Sequence, residues 1–501
     1  MVLAATAAVT GCTADPKRAD PTGVPPGLDA FYAQSVDWVP CGSGHTEGWF
    51  AEPLTGRQCA QVRAPLDYRA ARGRSIHEVE TVLLAVSRRL ATGAKRGALI
   101  AISGGPGGTG LELVDWPYPR EVLAGFDIIS YDPRGVGRST PSIRCAGAVD
   151  SDIDLDDTEA TEAAERAEVA ACVRDTGLEV LRHIGSDEAT NDVDLLRGVL
   201  GEERINLLAY SYGTQIAAMY ALRFPGNYRA AVLDGVVDLA ERPHEMFLGQ
   251  VRGYQATFDR LAAFCTGEYR QRGLDCPLGA DPATAESAFH ALLREVDADP
   301  VPVSEGEDVT ASTVLQATYT GLLWRSSWED YLEALNELRD GDATTIRRLA
   351  DFQDSGGDNA ITAITCTDIA DPTTDRAARH HEAAALYDAA TFDDYDTRPA
   401  QFPLMDCDLW PFPGQVVPGK ILPVTPARSP AAPRLLFVGT RHDPTTPIGN
   451  AERMARYLTS PLLIREADGH TFVFSDENDC GDDEVVRYLL DPASGRDWVC
   501  S

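Results

Sequence analysis

The sequence predicts an α/β fold in which a mostly parallel central sheet is flanked by helices and carries a large, mainly helical cap. Two observations lead to this prediction. Short apolar runs bounded by Gly, Pro and Asp alternate with helix-like segments before residue 240. Helix-like segments rich in Ala, Leu and charge then fill residues 241–426, after which strand patterns return. Strands that alternate with helices form a parallel sheet, so the helical stretch is predicted to be an insertion into one core.

The predicted elements divide the chain into four parts. An apolar leader and a Pro- and Asp-containing tether cover residues 1–27, and the core occupies 28–240 and 427–501 on either side of the cap at 241–426. An apolar helix at 214–223 separates two of the strands. The predicted strands are 80–90, 97–103, 126–131, 205–209 and 230–233 before the cap, and 434–438 and 462–465 after it.

The composition of the chain argues against several classes of function. The formal net charge of −33 and the pI near 4.6 would repel phosphate backbones and anionic membrane surfaces, which argues against nucleic-acid binding. None of the eleven cysteines forms a Cys-x-x-Cys pair, so the spacing typical of zinc sites and redox dithiols is missing. We therefore predict no metal and no cofactor.

The cysteines predict disulfides in an oxidising compartment. Ten of them lie along the chain as five pairs of close neighbours, and sequential pairing is the simplest of the many connectivities that the sequence permits. The predicted disulfide cysteines are Cys41 and Cys59, Cys145 and Cys172, Cys265 and Cys276, Cys366 and Cys407, and Cys480 and Cys500.

The remaining cysteine lies at the end of a short apolar run. Val9-Thr10-Gly11-Cys12 resembles a bacterial lipobox, in which the cysteine sulfur carries a lipid anchor. A plain secretory signal and a free thiol are the alternatives. We predict an extracytoplasmic protein, secreted or attached to the outer face of a bacterial membrane through lipidated Cys12, with no other membrane contact.

A candidate nucleophile lies between a predicted strand and a predicted helix. In Ala209-Tyr210-Ser211-Tyr212-Gly213 the chain must turn so sharply that serine projects from the sheet, as a nucleophile elbow requires. The residues two before and two after the serine must then be small. Ala209 stands where glycine is usual, and Gly213 satisfies the rule.

A glycine-rich loop upstream supports this assignment. The Ser-Gly-Gly-Pro-Gly-Gly run at 103–108 follows a strand and can bring backbone amides close to a substrate. Such a loop could also hold phosphate, but it lacks the lysine of a nucleotide-binding loop, and the Tyr212 amide supplies the other half of an oxyanion hole. Asp132 and Arg134, in the next glycine-bearing loop, are predicted to pair and brace this region.

Serine needs a base and an orienting acid. His470 is the predicted base because it follows a strand near the C-terminus, in the order Ser, acid, His. Asp443 follows the strand at 434–438 and is the predicted acid. Asp234, which ends the strand after the nucleophile helix, is the alternative.

These residues resemble the α/β-hydrolases that include proline iminopeptidases and, more closely, the secreted tripeptidyl aminopeptidases of actinobacteria. The resemblance covers most of the chain. The matching residues are Trp38 with Cys41, Cys59, Pro65-Leu66-Asp67-Tyr68, the Gly-Gly-Pro-Gly loop, Asp132-Pro133-Arg134-Gly135, Ser211-Tyr212-Gly213-Thr214, Ile364-Thr365-Cys366, Cys407 with Trp410-Pro411, Asp443 with Thr446-Pro447, Gly469-His470, Cys480 and Cys500.

The resemblance implies an α/β-hydrolase fold and the hydrolysis of peptide bonds near a free N-terminus. It implies Ser211 as nucleophile, Asp443 as acid, His470 as base, and the amides of Gly105 and Tyr212 as oxyanion donors. The implied partners are peptides with a free N-terminus.

Two departures from the family pattern limit what the resemblance implies. Ser103 stands where proline iminopeptidases have histidine and Ala209 stands where glycine is usual, so specificity is not carried over from that branch. An esterase or lipase acting on small esters or envelope lipids is the alternative function, because the same triad serves both chemistries. A catalytically inactive binding or envelope-structural protein is the alternative from another class. Glu329 and Asp330 are candidates, by location in the cap only, for binding a substrate ammonium.

Overall fold

A ten-stranded sheet runs through the structure, a computed structural model. The strand order is β1-β2-β3-β5-β4-β6-β7-β8-β9-β10. The strands are β1 (Val39–Pro40), β2 (Gln58–Pro65), β3 (Thr81–Arg89), β4 (Gly97–Ile102), β5 (Phe126–Tyr131), β6 (Ile205–Tyr210), β7 (Tyr228–Asp234), β8 (Leu436–His442), β9 (Leu462–Asp468) and β10 (Trp498–Cys500). The described residues are 23–50, 54–145, 158–304, 307–353, 358–372, 375–396, 398–416, 433–475 and 479–500.

The sheet is parallel where the predicted site lies. Every pair of neighbours from β5 and β4 through β6 to β10 is parallel, whereas the pairs β1–β2, β2–β3 and β3–β5 at the other side are antiparallel. The carboxyl ends of β4, β6, β7, β8 and β9 therefore meet at one edge. The predicted α/β class and the mostly parallel sheet are confirmed.

Helices cover both faces of this sheet. In β6, Leu207 and Ala209 belong to one buried cluster while Leu208 and Tyr210 belong to the other, as the alternation of a strand requires. The first cluster includes residues of α1, α5, α6 and α15, and the second includes residues of α2 and α16. These helices are α1 (Asp29–Tyr32), α2 (Arg120–Gly125), α5 (Ser186–Val199), α6 (Gly213–Arg223), α15 (Ile448–Tyr457) and α16 (Asp479–Leu490).

The remaining helices build the region above the sheet. Eight α-helices of the described chain lie between β7 and β8, and the first five of them enclose a core of their own in which Phe258, Phe289 and Tyr331 are buried. They are α7 (Pro243–Phe264), α8 (Pro282–Ala298), α9 (Ala311–Leu322), α10 (Trp328–Arg339), α11 (Thr344–Gln353), α12 (Asp358–Ile369), α13 (Arg376–Tyr387) and α14 (Asp406–Leu409). We call α7 to α14 and their connections the helical insertion.

A segment before β6 also joins the helical insertion. Helix α3 (Thr158–Asp175) and the short α4 (Leu178–Leu181) contribute Val169 and Leu181 to a cluster that contains Ala363 of α12. Glu162 of α3 forms an ion pair with Arg376 of α13 at 2.5 Å. The helical region above the sheet is thus built from two stretches of the chain, α3 and α4 before β6 and the helical insertion after β7.

Five disulfides join the ten described cysteines, each to its neighbour in sequence, in the order that sequential pairing predicts. The bonded pairs are Cys41–Cys59, Cys145–Cys172, Cys265–Cys276, Cys366–Cys407 and Cys480–Cys500. Cys12 lies outside the described residues. No helix within the described ranges combines the length and apolar character needed to cross a membrane.

Candidate active site

The predicted site residues lie together at the carboxyl edge of the sheet. Ser211 follows β6, Asp443 follows β8 and His470 follows β9, while the 103–108 loop follows β4. Strands of a parallel sheet end on the same side, so residues far apart in sequence become neighbours in space. The order of elements alone brings all three predicted triad residues to one edge.

Ser211 occupies the sharp turn that the sequence predicts. Its φ of 52° is in the left-handed region, which is strained for a residue with a side chain. A Cβ on Gly213 would lie 2.5 Å from the Ser103 carbonyl oxygen, and one on Gly104 would lie 2.9 Å from Ser211 Cβ. Both positions therefore require glycine, and the backbone holds Ser211 against the glycine-rich loop.

Asp443 and His470 form a buried, hydrogen-bonded pair. His470 Nδ1 lies 2.8 Å from Asp443 Oδ2 and 3.0 Å from Oδ1. The N–H groups of Thr445 and Thr446 each donate to Asp443 Oδ1 at 2.8 Å, and Thr446 Oγ1–H donates to Oδ2 at 2.9 Å. These donors hold the carboxylate so that it faces the imidazole.

Electrostatics favour the protonated imidazole in this pair. Burial disfavours the charged form of His470, but the attraction of Asp443 and its hydrogen bond outweigh burial. The pKa of His470 therefore lies above its ordinary value. An imidazole held in this way stabilises a proton that it accepts.

Ser211 and His470 flank the same peptide. The Ser211 N–H donates to the Asp234 carbonyl oxygen at 2.8 Å, and a Cβ on Gly235 would lie 2.8 Å from His470 Cε1. Ser211 Oγ makes no hydrogen bond to any described residue, so it does not donate to the imidazole in this state. Catalytic hydrogen bonds of this kind often tighten only when substrate binds.

The glycine-rich loop lies next to Ser211 and contains an amide with no acceptor among the described residues. Gly105 has a φ of 109°, and a Cβ there would lie 2.7 Å from the Gly108 N–H. Ser103 Oγ–H donates to the Gly108 carbonyl oxygen at 2.8 Å and closes the loop. Within the described chain, the N–H groups of Gly105 and Tyr212 donate to no protein acceptor. Both predicted oxyanion donors are therefore available to a ligand.

The neighbouring loop is braced differently from the prediction. Asp132 accepts hydrogen bonds from the N–H groups of Gly110 and Arg138 at 2.8 and 2.7 Å. Arg134 does not pair with Asp132; its Nε and Nη2 donate to the two oxygens of Asp192 on α5 at 2.7 and 2.6 Å. The predicted Asp132–Arg134 pair is wrong because each side chain finds a closer buried partner.

Asp234, the alternative acid, holds the loop after His470. Its Oδ2 accepts the N–H groups of Phe472 and Val473 at 2.7 and 2.8 Å, whereas no described residue binds its Oδ1. Burial raises the pKa of this carboxyl to about 6 although the two N–H donors oppose the shift. It contacts the backbone of the histidine loop, while Asp443 contacts the imidazole.

Sequence reasoning missed three residues that contact the site. Thr446 Oγ1 lies 3.3 Å from His470 Nδ1 as well as bonding Asp443. On α12, the Asp368 carboxylate accepts the Tyr212 hydroxyl at 2.7 Å. Trp324 hydrogen-bonds the backbone of His470. Only Thr446 had a sequence signal, since it belongs to a motif shared with the family.

The two predicted ammonium ligands are not arranged for that role. The Glu329 carboxylate accepts hydrogen bonds from Arg272 Nη1 and Nη2, at 2.6 and 2.8 Å, on the exposed side of the insertion. Asp330 is exposed beside it. A cleft of about 390 Å³ between α7, α12, α13 and α14 lies beside the glycine-rich loop instead: its wall includes Ile361, and a Cβ on Gly107 would lie 3.2 Å from Ile361 N.

Among the residues that the structure describes, two groups of side chains have the spacing of metal ligands. Asp67, His183 and Glu188 form one, and Glu165, Glu168 and Asp406 form the other. Neither group contains a predicted triad residue. The absence of a metal from the proposed chemistry stays a prediction.

Known proteins resemble this chain along most of its length. Residues 97–477 match the family model described as the alpha/beta hydrolase fold. The chain is 32% identical over 484 residues to serine protease Hip1 of Mycobacterium tuberculosis, covering 91% of this chain and 89% of that protein. It is 32% identical over 505 residues to carboxylesterase B of the same organism, covering 96% and 92%. It is 27% identical over 506 residues to tripeptidyl aminopeptidase of Streptomyces coelicolor, covering 93% and 86%.

Proposed function

Because this chain belongs to the α/β-hydrolase family and is a serine hydrolase, we propose that it is a serine exopeptidase that cleaves peptide bonds near a free N-terminus. The observation that carries the proposal is the 2.8 Å Asp443–His470 hydrogen bond at the sheet edge that also holds the strained Ser211. The relatives named as a serine protease and a tripeptidyl aminopeptidase support peptide substrates.

The site supports a two-step acyl transfer. Ser211 Oγ attacks the scissile carbonyl carbon while His470 Nε2 takes the hydroxyl proton, which the imidazolium then gives to the leaving amine. Water, activated by the same imidazole, then releases the acyl group from Ser211. Asp443 keeps the Nδ1–H of His470 directed away from the reacting atoms and stabilises the imidazolium.

The negative charge of the tetrahedral intermediate falls on the former carbonyl oxygen. The N–H groups of Gly105 and Tyr212 are the proposed donors to it, and each such donor typically contributes about 10²- to 10³-fold in rate. The Asp368–Tyr212 hydrogen bond restrains the side chain of the residue that supplies one donor. The helical region predicted at 241–426 acts in this proposal as a cap that limits which substrates enter.

An esterase is the second candidate, favoured by the relative named carboxylesterase B. The requirement for a free amine on the substrate distinguishes an exopeptidase from an esterase. We expect chromogenic tripeptides with a free amine to be cleaved with a kcat/KM about 10- to 100-fold above that of their N-acetylated forms, because acetylation removes hydrogen bonds to a charged group. The measurement is steady-state release of the chromophore from matched pairs, with short-chain acyl esters assayed beside them. Equal rates on free and acetylated peptides, or turnover of esters alone, would contradict peptidase action.

The raised pKa of His470 predicts the acid side of the pH profile. The base must be neutral to accept the serine proton, so activity is lost as pH falls through the pKa of His470 and gained as pH rises through it. We expect the acid limb of kcat/KM to have its midpoint above about 6.5, the ordinary histidine value. Removing the Asp443 charge should move this midpoint to lower pH. A midpoint at or below the ordinary value in the wild type would contradict the arrangement.

We also propose that the protein works outside the cytoplasm. The five disulfides support this location, because structural disulfides persist in oxidising compartments. Lipidation of Cys12 stays a prediction from the sequence.

A further inference from the structure

Both backbone groups of His470 have partners in the helical insertion. The His470 N–H donates to the Leu323 carbonyl oxygen at 2.7 Å, and the Trp324 indole Nε1–H donates to the His470 carbonyl oxygen at 2.8 Å. Trp324 also forms an isolated antiparallel bridge with Gly469. The loop between α9 and α10 therefore hydrogen-bonds both the N–H and the carbonyl oxygen of the proposed base.

Helix α7 of the same insertion contacts the loops on which the base and the acid lie. Arg260 forms an ion pair with Asp468, the last residue of β9. Tyr254 Oη lies 3.2 Å from Thr445 Oγ1, and a Cβ on Gly253 would lie 2.3 Å from the Pro444 carbonyl oxygen. The insertion therefore contacts the loops that carry both members of the Asp443–His470 pair.

The loop that carries His470 needs such outside contacts. Gly469 and Thr471, on either side of the histidine, have φ values of 129° and 57°. Positive φ at threonine is strained, and a residue in such a conformation stays there only when its surroundings hold it. His470 itself is only 7% exposed, so its N–H could not be satisfied by water if Leu323 moved away. Its carbonyl oxygen would keep only the hydrogen bond that Thr471 Oγ1–H donates at 2.7 Å if the Trp324 indole were lost.

We propose that Trp324 is a positioning residue that aligns the imidazole of His470 with Ser211 through the histidine backbone, so that the place of the helical insertion sets the geometry of the base. This inference rests on the proposed function, since it requires His470 to act as the base. A movement of the α9–α10 loop would carry the histidine with it. The insertion then has a part in the chemistry as well as in admitting substrate.

The test compares Trp324→Phe with Trp328→Phe. Both changes shorten a tryptophan of the same segment to a smaller ring, but the Trp328 Nε1–H has no partner among the described residues, so only Trp324→Phe removes a hydrogen bond. We expect Trp324→Phe to lower kcat about tenfold with KM unchanged, because small misplacement of a catalytic group is costly. Trp328→Phe should leave both values near the wild type. Thermal unfolding of both variants measures the structural cost separately.

The pH profile distinguishes positioning from general loosening. The charged groups facing His470 are Asp443 and Asp234, and the Arg260–Asp468 pair lies next along the chain; Trp324→Phe alters none of them. Misalignment weakens the contact with Asp443, so the acid limb should move to lower pH in Trp324→Phe only. Equal kinetics and equal acid limbs in the two variants would overturn the inference. So would a kcat loss that both variants share in proportion to lost stability.

Failure of the proposed function looks different. A wild-type protein that neither hydrolyses peptides nor reacts with a fluorophosphonate would remove the premise that His470 is a base. A labelled, active wild type with an unaffected Trp324→Phe variant would overturn the positioning role alone.

Discussion

Ser211→Ala is expected to remove peptidase activity, with kcat lower by about 10⁶-fold, the loss typical of deleting the serine of a triad. Alanine has no atom that can form the acyl-enzyme, and the remaining oxyanion donors give only residual catalysis. The measurement is covalent labelling with a fluorophosphonate followed by intact mass, alongside kcat on a free-amine tripeptide. We expect one label per wild-type chain and none on the variant.

Ser460→Ala is the matched control for this experiment. Ser460 lies just before β9, at the opposite end of that strand from His470, and its hydroxyl donates to the Leu458 carbonyl oxygen. The control should be labelled and active like the wild type. Labelling of Ser211→Ala at another serine, or retention of its activity, would show that the nucleophile lies elsewhere.

The buried strands were predictable because of where they lie in the sheet. Strands β4 and β6 are buried along their whole length, so they read as continuous apolar runs. Helix α10 lies in the stretch whose Ala, Leu and charged residues predict helices. The order of these elements sufficed to predict that Ser211, Asp443 and His470 follow strands of one sheet.

The strands that sequence reasoning missed are near the sheet edges. Strand β2 contains Gln58 and Arg63 and pairs antiparallel with β3, so its pattern alternates and lacks an apolar run. Strand β10 has three residues and owes its place to pairing with β9. Pairing across the sheet, which a single segment does not encode, decides such short or polar strands.

The missed site contacts have the same cause. Trp324 and His470 are 146 residues apart, and Asp368 and Tyr212 are 156 residues apart. Local patterns predict elements, but which side chain of the helical insertion reaches which loop depends on how the insertion packs on the sheet. The Arg134–Asp192 pair shows this directly, since the nearest carboxylate in sequence is not the partner in the fold.

The roles of the two candidate acids can be separated by paired substitutions. Asp443→Asn should lower kcat by about 10⁴-fold while leaving the fold intact, because an amide at this position donates to His470 Nδ1 and stabilises the wrong tautomer. The backbone donors from Thr445 and Thr446 can still bond the Asn carbonyl oxygen, so the loop keeps its shape. The measurement is single-turnover acylation by a free-amine peptide ester, which reports the serine attack itself.

Asp234→Asn is the matched variant, and we expect it to retain kcat within about tenfold. The N–H groups of Phe472 and Val473, which donate to Asp234 Oδ2, can donate equally well to an amide oxygen. No imidazole nitrogen hydrogen-bonds this carboxylate among the described residues. Its charge acts on His470 only through space, whereas Asp443 also hydrogen-bonds the ring. If Asp234→Asn instead caused the 10⁴-fold loss and Asp443→Asn the small one, the orienting acid would be the one at the end of β7, and the 2.8 Å contact to His470 Nδ1 would be structural.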